Sequence, residues 1–302
     1  MEQFVNTSPL QVDPGFTPMN LGPRQRGPLA PADGLGHLSD LVRAMGAGDE
    51  TLQADEAQLP LPLWRVRQHA TLFHEGQRVL NLHVVRAGTL RCVTTAEDGY
   101  EQVVSFAGPG EVLGFDAISR GTQPVSAQAL EESSVYALPL HDLRLLRMQS
   151  PALDRALELA LSRQLLRAAE MVEMMAAVAA EARLARFLLW MSARMSELGR
   201  SPRRLRLVMC RRDIASVLGV AHETVSRSFG VLADCGCLRV ANREVEILDL
   251  GLLRSRARCT RHLCEGGHAA PGHAAGPAAP AAARPAAMAS WYAALQPPAA
   301  VD

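Results

Sequence analysis

The chain has 302 residues, 48% of them apolar, which is enough for two domains with buried cores and for tails besides. Its 31 basic residues, all arginine, balance 31 acids, so net charge points to no class of partner. No cationic and then apolar leader, and no apolar run of about 18 residues, interrupts it. The six cysteines (Cys92, Cys210, Cys235, Cys237, Cys259 and Cys264) form no C-x-x-C pair, and free thiols in a reducing cytoplasm are expected.

Residues 1–36 are rich in Pro and Gly and lack periodicity, which predicts a disordered arm. From Trp64 to about Pro139 the chain reads as short strands. Leu82–Val85, Leu90–Thr94 and Gln102–Phe106 carry β-branched or aromatic residues, and Gly76, Gly88, Gly99, Gly108, Gly110 and Gly114 punctuate them. That pattern predicts a small antiparallel barrel or roll.

Ser150 is a suitable N-cap and Pro151 a suitable first helical residue. The stretch to about Ala182 has no Gly or Pro, and Leu153, Leu157, Leu161, Leu165, Ala168, Met171, Met175, Val178 and Ala182 recur at three or four residues. This makes one apolar stripe, able either to lie on its own domain or to pair with a copy of itself. A second helix over Ala182–Leu198 ends at Gly199, and Ser201-Pro202 starts a linker. Residues after 258 are mostly Ala, Pro, Gly and His and are expected to be disordered.

Charge is uneven along the chain. Arg200 to Arg261 carries 13 Arg against six acids, whereas His37 to Gln149 carries nine Arg against 14 acids. A basic C-terminal module fits a nucleic-acid face, with ordinary charge scatter as the plainer reading. Within that module, Arg211 to Leu232 reads as two short helices separated by Gly219. Ile214, Ala215 and Leu218 are apolar on the first, and Val225, Phe229 and Leu232 on the second. Glycine suits the positive φ of such a corner. His222, Glu223, Ser226 and Arg227 lie on the opposite face, near the end of the second helix that enters a major groove in this motif. Arg donates two bonds to guanine, Glu accepts from cytosine, and Ser bonds a base edge or phosphate. Thr224, Arg211 and Arg212 are better placed for phosphates. Leu238-Arg239-Val240 and Val245–Leu248 flank a short hairpin, the wing of a winged helix.

With these residues in view, the chain resembles the CRP/FNR family, and its FNR branch most. Arg212-Asp213-Ile214, Leu218-Gly219 and Glu223-Thr224-Val225-Ser226-Arg227 match the DNA-binding signature. Phe73-His74-Glu75-Gly76, Val85-Arg86-Ala87-Gly88, the run Gly110 to Ile118 and Ala127 to Glu131 match the effector roll, over about residues 60–250 in all. The resemblance implies an α+β chain with a cyclic-nucleotide-binding-like antiparallel β-roll (37–149), a long dimerisation helix (150–182) and a C-terminal winged helix-turn-helix (183–258). The arm (1–36) and an Ala/Pro-rich tail (259–302) flank them. It implies a homodimer seam of Leu157, Leu161, Leu165, Ala168, Met171, Met175 and Val178, double-stranded DNA and RNA polymerase as partners, and a palindromic TTGAT-like site.

Two family features are missing. A [4Fe-4S] centre needs four thiolates, but residues 1–91 contain no Cys and the matching roll position is Tyr136, so no cluster is expected. A cyclic phosphate calls for Arg, but Gln123-Pro124-Val125-Ser126-Ala127 supplies none, which disfavours cyclic AMP. Ala221 replaces the usual Ser/Thr cap, and His222 stands at a position that varies in the family. His69, His74 and His83 lie in the roll beside Cys92. Haem ligation by one of them is the minor reading, since a histidine among strands is more often structural. Cys259, His262, Cys264 and His268 fit no zinc spacing, and Cys235-x-Cys237 reads as inert thiols before a redox pair. No phosphate-loop, dinucleotide, zincin or nucleophile-elbow pattern supports an enzyme. The competing reading is a ligand- or haem-sensing interaction module whose helix-turn-helix has lost specific DNA binding.

Overall fold

The computed structural model of the protein describes residues 29–31, 35–48 and 52–258. The expectations for residues 1–28 and for the tail from 259, with its Cys259, His262, Cys264 and His268, fall outside them. In chain order the roll comprises β1 (Leu29–Pro31), β2 (Gly36–His37), α1 (Leu38–Ala44), α2 (Ala54–Ala57), β3 (Pro60–Leu61), β4 (Leu63–Val66), β5 (Thr71–Phe73), β6 (Asn81–Ala87), β7 (Leu90–Thr95), β8 (Glu101–Ala107), β9 (Val112–Leu113), α3 (Phe115–Ile118), β10 (Ser126–Ala129), β11 (Ser133–Pro139) and α4 (Leu140–Gln149). Two long helices follow, α5 (Pro151–Met175) and α6 (Ala180–Glu197). The C-terminal unit holds β12 (Arg204–Arg206), α7 (Arg211–Leu218), α8 (His222–Asp234), β13 (Leu238–Ala241), β14 (Glu244–Ile247) and α9 (Leu250–Arg258).

The roll is two antiparallel sheets, ordered β1-β4-β11-β6-β9 and β5-β10-β7-β8. Their inner faces enclose Val66, Phe73, Val85, Leu90, Cys92, Ala127, Ala129 and Val135. Period-two alternation sends Leu82 and Val84 of β6, and Tyr136 and Leu138 of β11, to the other face. There Leu38, Leu41 and Val42 of α1 and Leu153, Ala156 and Leu157 of α5 cover them. A sheet buried on both faces explains why these strands are apolar nearly throughout. Each fully buried Leu in such a core contributes roughly 1.5–3 kcal/mol.

Two expectations are corrected here. The end of the 1–36 arm is built into the roll: Leu29–Pro31 pairs antiparallel with β4, and Gly36 pairs with Leu61. Gly36 lies so close to the Tyr136 ring that a Cβ would sit 2.2 Å from its Cε1. A Pro/Gly-rich composition hid strands that exist because a waiting sheet edge satisfies their backbone groups. The long helix α5, whose sequence pattern extends to Ala182, stops at Met175. Arg183 Nε donates to Ala177 O at 2.7 Å and Arg186 Nη1 to Glu173 O at 2.6 Å. Two arginines of α6 thus satisfy carbonyls that continued helix would have used. The helix starts as expected, with Ser150 Oγ accepting from Leu153 N at 3.3 Å and Pro151 in the first turn.

The position of Leu157 changes as well. It is buried in the roll's outer core, together with Leu153 and Ala160, and so faces its own domain. Met171 and Met174 pack on the core of the C-terminal unit. Leu161, Leu165, Ala168, Val172 and Met175 remain exposed, spaced 4, 3, 4 and 3 residues apart. No helix among the described residues is long and apolar enough to cross a membrane.

Candidate nucleic-acid interface

The interface begins with the helix pair α7–α8. Asp213, the third residue of α7, accepts from Cys210 N at 2.9 Å, and the Cys210 side chain completes a reciprocal cap. Ile214, Ala215, Val217 and Leu218 bury one face of α7. Gly219 ends the helix at φ +62°, a left-handed conformation that favours glycine. Helix α8 then buries Val225, Ser228, Phe229 and Leu232 against the same core.

That burial turns His222, Glu223, Ser226 and Arg227 outward, all exposed. His222 Nδ1 lies 2.9 Å from Glu223 Oε1. Ser226 Oγ donates back to His222 O at 3.2 Å. Ala221, at the N-cap, supplies no side-chain bond, so the first amides of α8 are open to an outside acceptor. Arg212 is exposed and Thr224 half-buried. Arg211, expected at a phosphate, also packs within the unit. Its guanidinium carbon sits 3.4 Å from the Phe229 ring centroid, and burial lowers its pKa. Arg211 therefore works as a cation–π brace between α7 and α8.

Sequence reasoning missed one strand of this surface. β12 joins the hairpin to make a sheet ordered β12-β14-β13. Leu205 points into the core while Arg204 and Arg206 stay exposed, an alternation visible in Arg-Leu-Arg but too short to declare a strand. Arg239 and Arg204 flank Glu246 at 2.9 and 3.8 Å. Arg243 stands exposed at the hairpin tip beside Asn242, whose φ is +55°.

Charged contacts tie the two long helices to the roll. Glu111, in the loop before β9, accepts from Arg194 of α6 at 2.9 Å and from Arg167 of α5. Its second oxygen accepts from Gly108 N at 2.7 Å. Arg194 also lies over the Trp190 ring, 4.7 Å from the centroid.

The effector end of the roll carries no arginine between Gln123 and Ala127. Ser126 Oγ already accepts from Glu75 N at 2.9 Å, and Gln123 is buried. Tyr136 is buried, and the Cys92 thiol is pushed up to about 12 by burial, so it holds its proton. Cys237 is buried, its thiol also pushed up, while Cys235 accepts from Arg256 at 3.2 Å. His83 is enclosed by Phe73 and Trp64, with ring centroids 5.6 and 6.1 Å away. Burial lowers its pKa to about 4. The unfolded chain binds this proton below about pH 6.5 and the folded chain does not. Stability is therefore complete above about pH 6.5 and declines as pH falls toward 4, by at most about 3 kcal/mol. His83→Leu is expected to remove that part of the decline. Melting curves of wild type and variant from about pH 7 to 4 check this, and parallel curves would contradict it.

Residues 63–150 match the cyclic nucleotide-binding domain model and residues 182–256 the Crp-like helix-turn-helix domain model. The fumarate and nitrate reduction regulatory protein of Escherichia coli K12 is 35% identical over 198 residues, covering 66% of this chain and 79% of that protein. The anaerobic regulatory protein of Pasteurella multocida is 37% identical over 185 residues, covering 61% and 68%. In fold the chain is similar to FixK2 of Bradyrhizobium japonicum, with a TM-score of 0.58 at 24% identity over 66% of this chain and 98% of that one. It is likewise similar to a CRP-family transcriptional regulator of Thermus thermophilus, with a TM-score of 0.53 at 24% identity over 65% and 97%. By its two matched domains, and by its identity over most of the length of established regulators, the chain belongs to the CRP/FNR family and is a DNA-binding transcription regulator, not an enzyme.

Proposed function

We propose that the protein acts in the cytoplasm as a parallel homodimer that reads a palindromic TTGAT-like site, one half-site per recognition helix. The observation that carries this reading is the outward face of α8. Its core side is fully committed to Val225, Phe229 and Leu232, which leaves His222, Glu223, Ser226 and Arg227 together in solvent. Arg227 has no partner among the described residues, so its fork is available to guanine O6 and N7. Glu223 can accept from cytosine, while Arg212, Thr224 and the exposed Arg204, Arg206 and Arg243 supply phosphate contacts. The exposed stripe of α5 has the 4–3 spacing of a two-helix seam, which supports dimerisation through Leu161, Leu165, Ala168, Val172 and Met175. Val178, exposed just beyond α5, extends that apolar surface. RNA polymerase is the further partner this reading implies, and the roll takes a signal of another chemistry than a cyclic nucleotide or an iron–sulfur centre.

Arg227→Ala is expected to weaken binding to the preferred site by about 1–3 kcal/mol and to relax preference at one base pair. Titrating the variant against single-base-pair substitutions of the site checks this. A selectivity profile identical to wild type would remove Arg227 from the base-reading set.

A further inference from the structure

The helix-turn-helix is seated on the roll through a set of polar contacts and a shared apolar core. Arg91 of β7 engages all three guanidinium nitrogens. Nε donates to Gln128 Oε1 at 2.9 Å, Nη2 to Glu101 Oε2 at 3.0 Å, and Nη1 to Asp213 Oδ1 at 2.9 Å. Asp213 is the residue whose other oxygen caps α7, and its side chain is 9% exposed. The carboxylate that starts the helix is therefore also its anchor to the roll. One turn on, Ser216 Oγ accepts from Val103 N at 2.8 Å, and Gln102 Nε2 donates to Ser216 O. β8 is the edge strand of its sheet, so Ser216 answers an edge N–H that a neighbouring strand would otherwise take. Val93, Val103 and Phe106 of the roll share one apolar core with Ile214, Leu218 and Phe229.

The docked arrangement leaves the outward face of α8 open, so it does not occlude DNA. What it restricts is direction. α7 and α8 turn together, because Gly219 and the common core join them. We propose that Arg91, Gln102 and Ser216 are positioning residues for DNA recognition. They fix the angle at which α8 leaves the roll and so, in a dimer, the separation and mutual rotation of the two reading faces. The inference rests on the dimeric, palindromic reading above. Its consequence is discrimination among spacers. One base pair more or less displaces a half-site by about 3.4 Å and rotates it by about 36°, which a rigid seat cannot follow and a loose one can.

The test uses the full chain and palindromes that differ only in spacer length. Wild type is expected to prefer one spacer over its neighbours by on the order of 100-fold. Arg91→Ala and Ser216→Ala are expected to reduce that ratio to about tenfold or less, with base selectivity within each half-site kept. Arg91→Lys, which keeps a charge but not the three-way fork, should fall between. Ser216→Ala removes one acceptor and no charge, so its fold is expected to survive, and a melting curve accompanies each variant. A merely structural role would lower affinity for every spacer in parallel and leave the ratio alone. That result in folded Arg91→Ala and Ser216→Ala would overturn the proposal. Absence of any spacer preference in wild type would instead overturn the dimeric reading, and the proposal with it.

Discussion

Leu165→Glu is expected to convert the proposed homodimer into monomers while leaving the protomer intact. Leu165 is 66% exposed in the protomer, so a carboxylate there meets water and adds a good helix former. In a paired seam the same carboxylate would be buried opposite its copy. Leaving such a charge unpaired costs roughly 3–5 kcal/mol, which is a factor of about 100 to 1,000 or more in the association constant. Sedimentation should report half the wild-type mass with an unchanged circular dichroism spectrum, and binding to a palindrome should drop with it. Met171 is a poorer position for this experiment. It packs against the core of its own chain, so a charge there would damage the protomer as well. A Leu165→Glu protein of undiminished mass would remove α5 as the seam.

Glu111→Ala is expected to have the largest effect on stability. One carboxylate faces two arginines from two helices and holds a backbone N–H as well. Arg194 is 10% exposed at its side chain, so removing Glu111 strands a nearly buried charge against Trp190. Breaking one side of such a pair costs roughly 3–5 kcal/mol. In a folded region of about 200 residues that corresponds to a fall of roughly 10 °C in melting temperature. Glu111→Gln keeps one acceptor oxygen, for the arginines or for Gly108 N but not for both, and should lose less than Glu111→Ala. Melting curves of the two variants decide it. A Glu111→Ala protein within about 2 °C of wild type would mean that the cluster is screened and contributes little.

The parts of the fold legible in the sequence are those set by local periodicity. Val225, Phe229 and Leu232 recur at helical spacing, and Gly219 marks the corner because the backbone there needs positive φ. Ser150 and Pro151 announce the start of α5 in the same local way. The misses are tertiary. Nothing near Ala176 ends a helix, since the groups that take its carbonyls belong to Arg183 and Arg186 of the next one. Leu157 and Leu161 are equivalent on a helical wheel, yet only Leu157 meets the outer core of the roll. Arg211 looks like any flanking cation until the fold brings the Phe229 ring beneath it. Arg91 and Asp213 are 122 positions apart, and no spacing rule connects them. Leu29–Pro31 forms a strand because β4 offers an edge, not because its composition asks for one.

The most direct test is a titration of the wild-type chain, at one stated salt concentration, with two duplexes of equal length. One carries two TTGAT half-sites in inverted repeat, and the other has the same bases scrambled. Reading of base edges by His222, Glu223, Ser226 and Arg227 predicts binding to the palindrome tighter by about a thousandfold or more. Equal affinity for the two duplexes, falling together as salt rises, would show contact with phosphates alone and contradict the account.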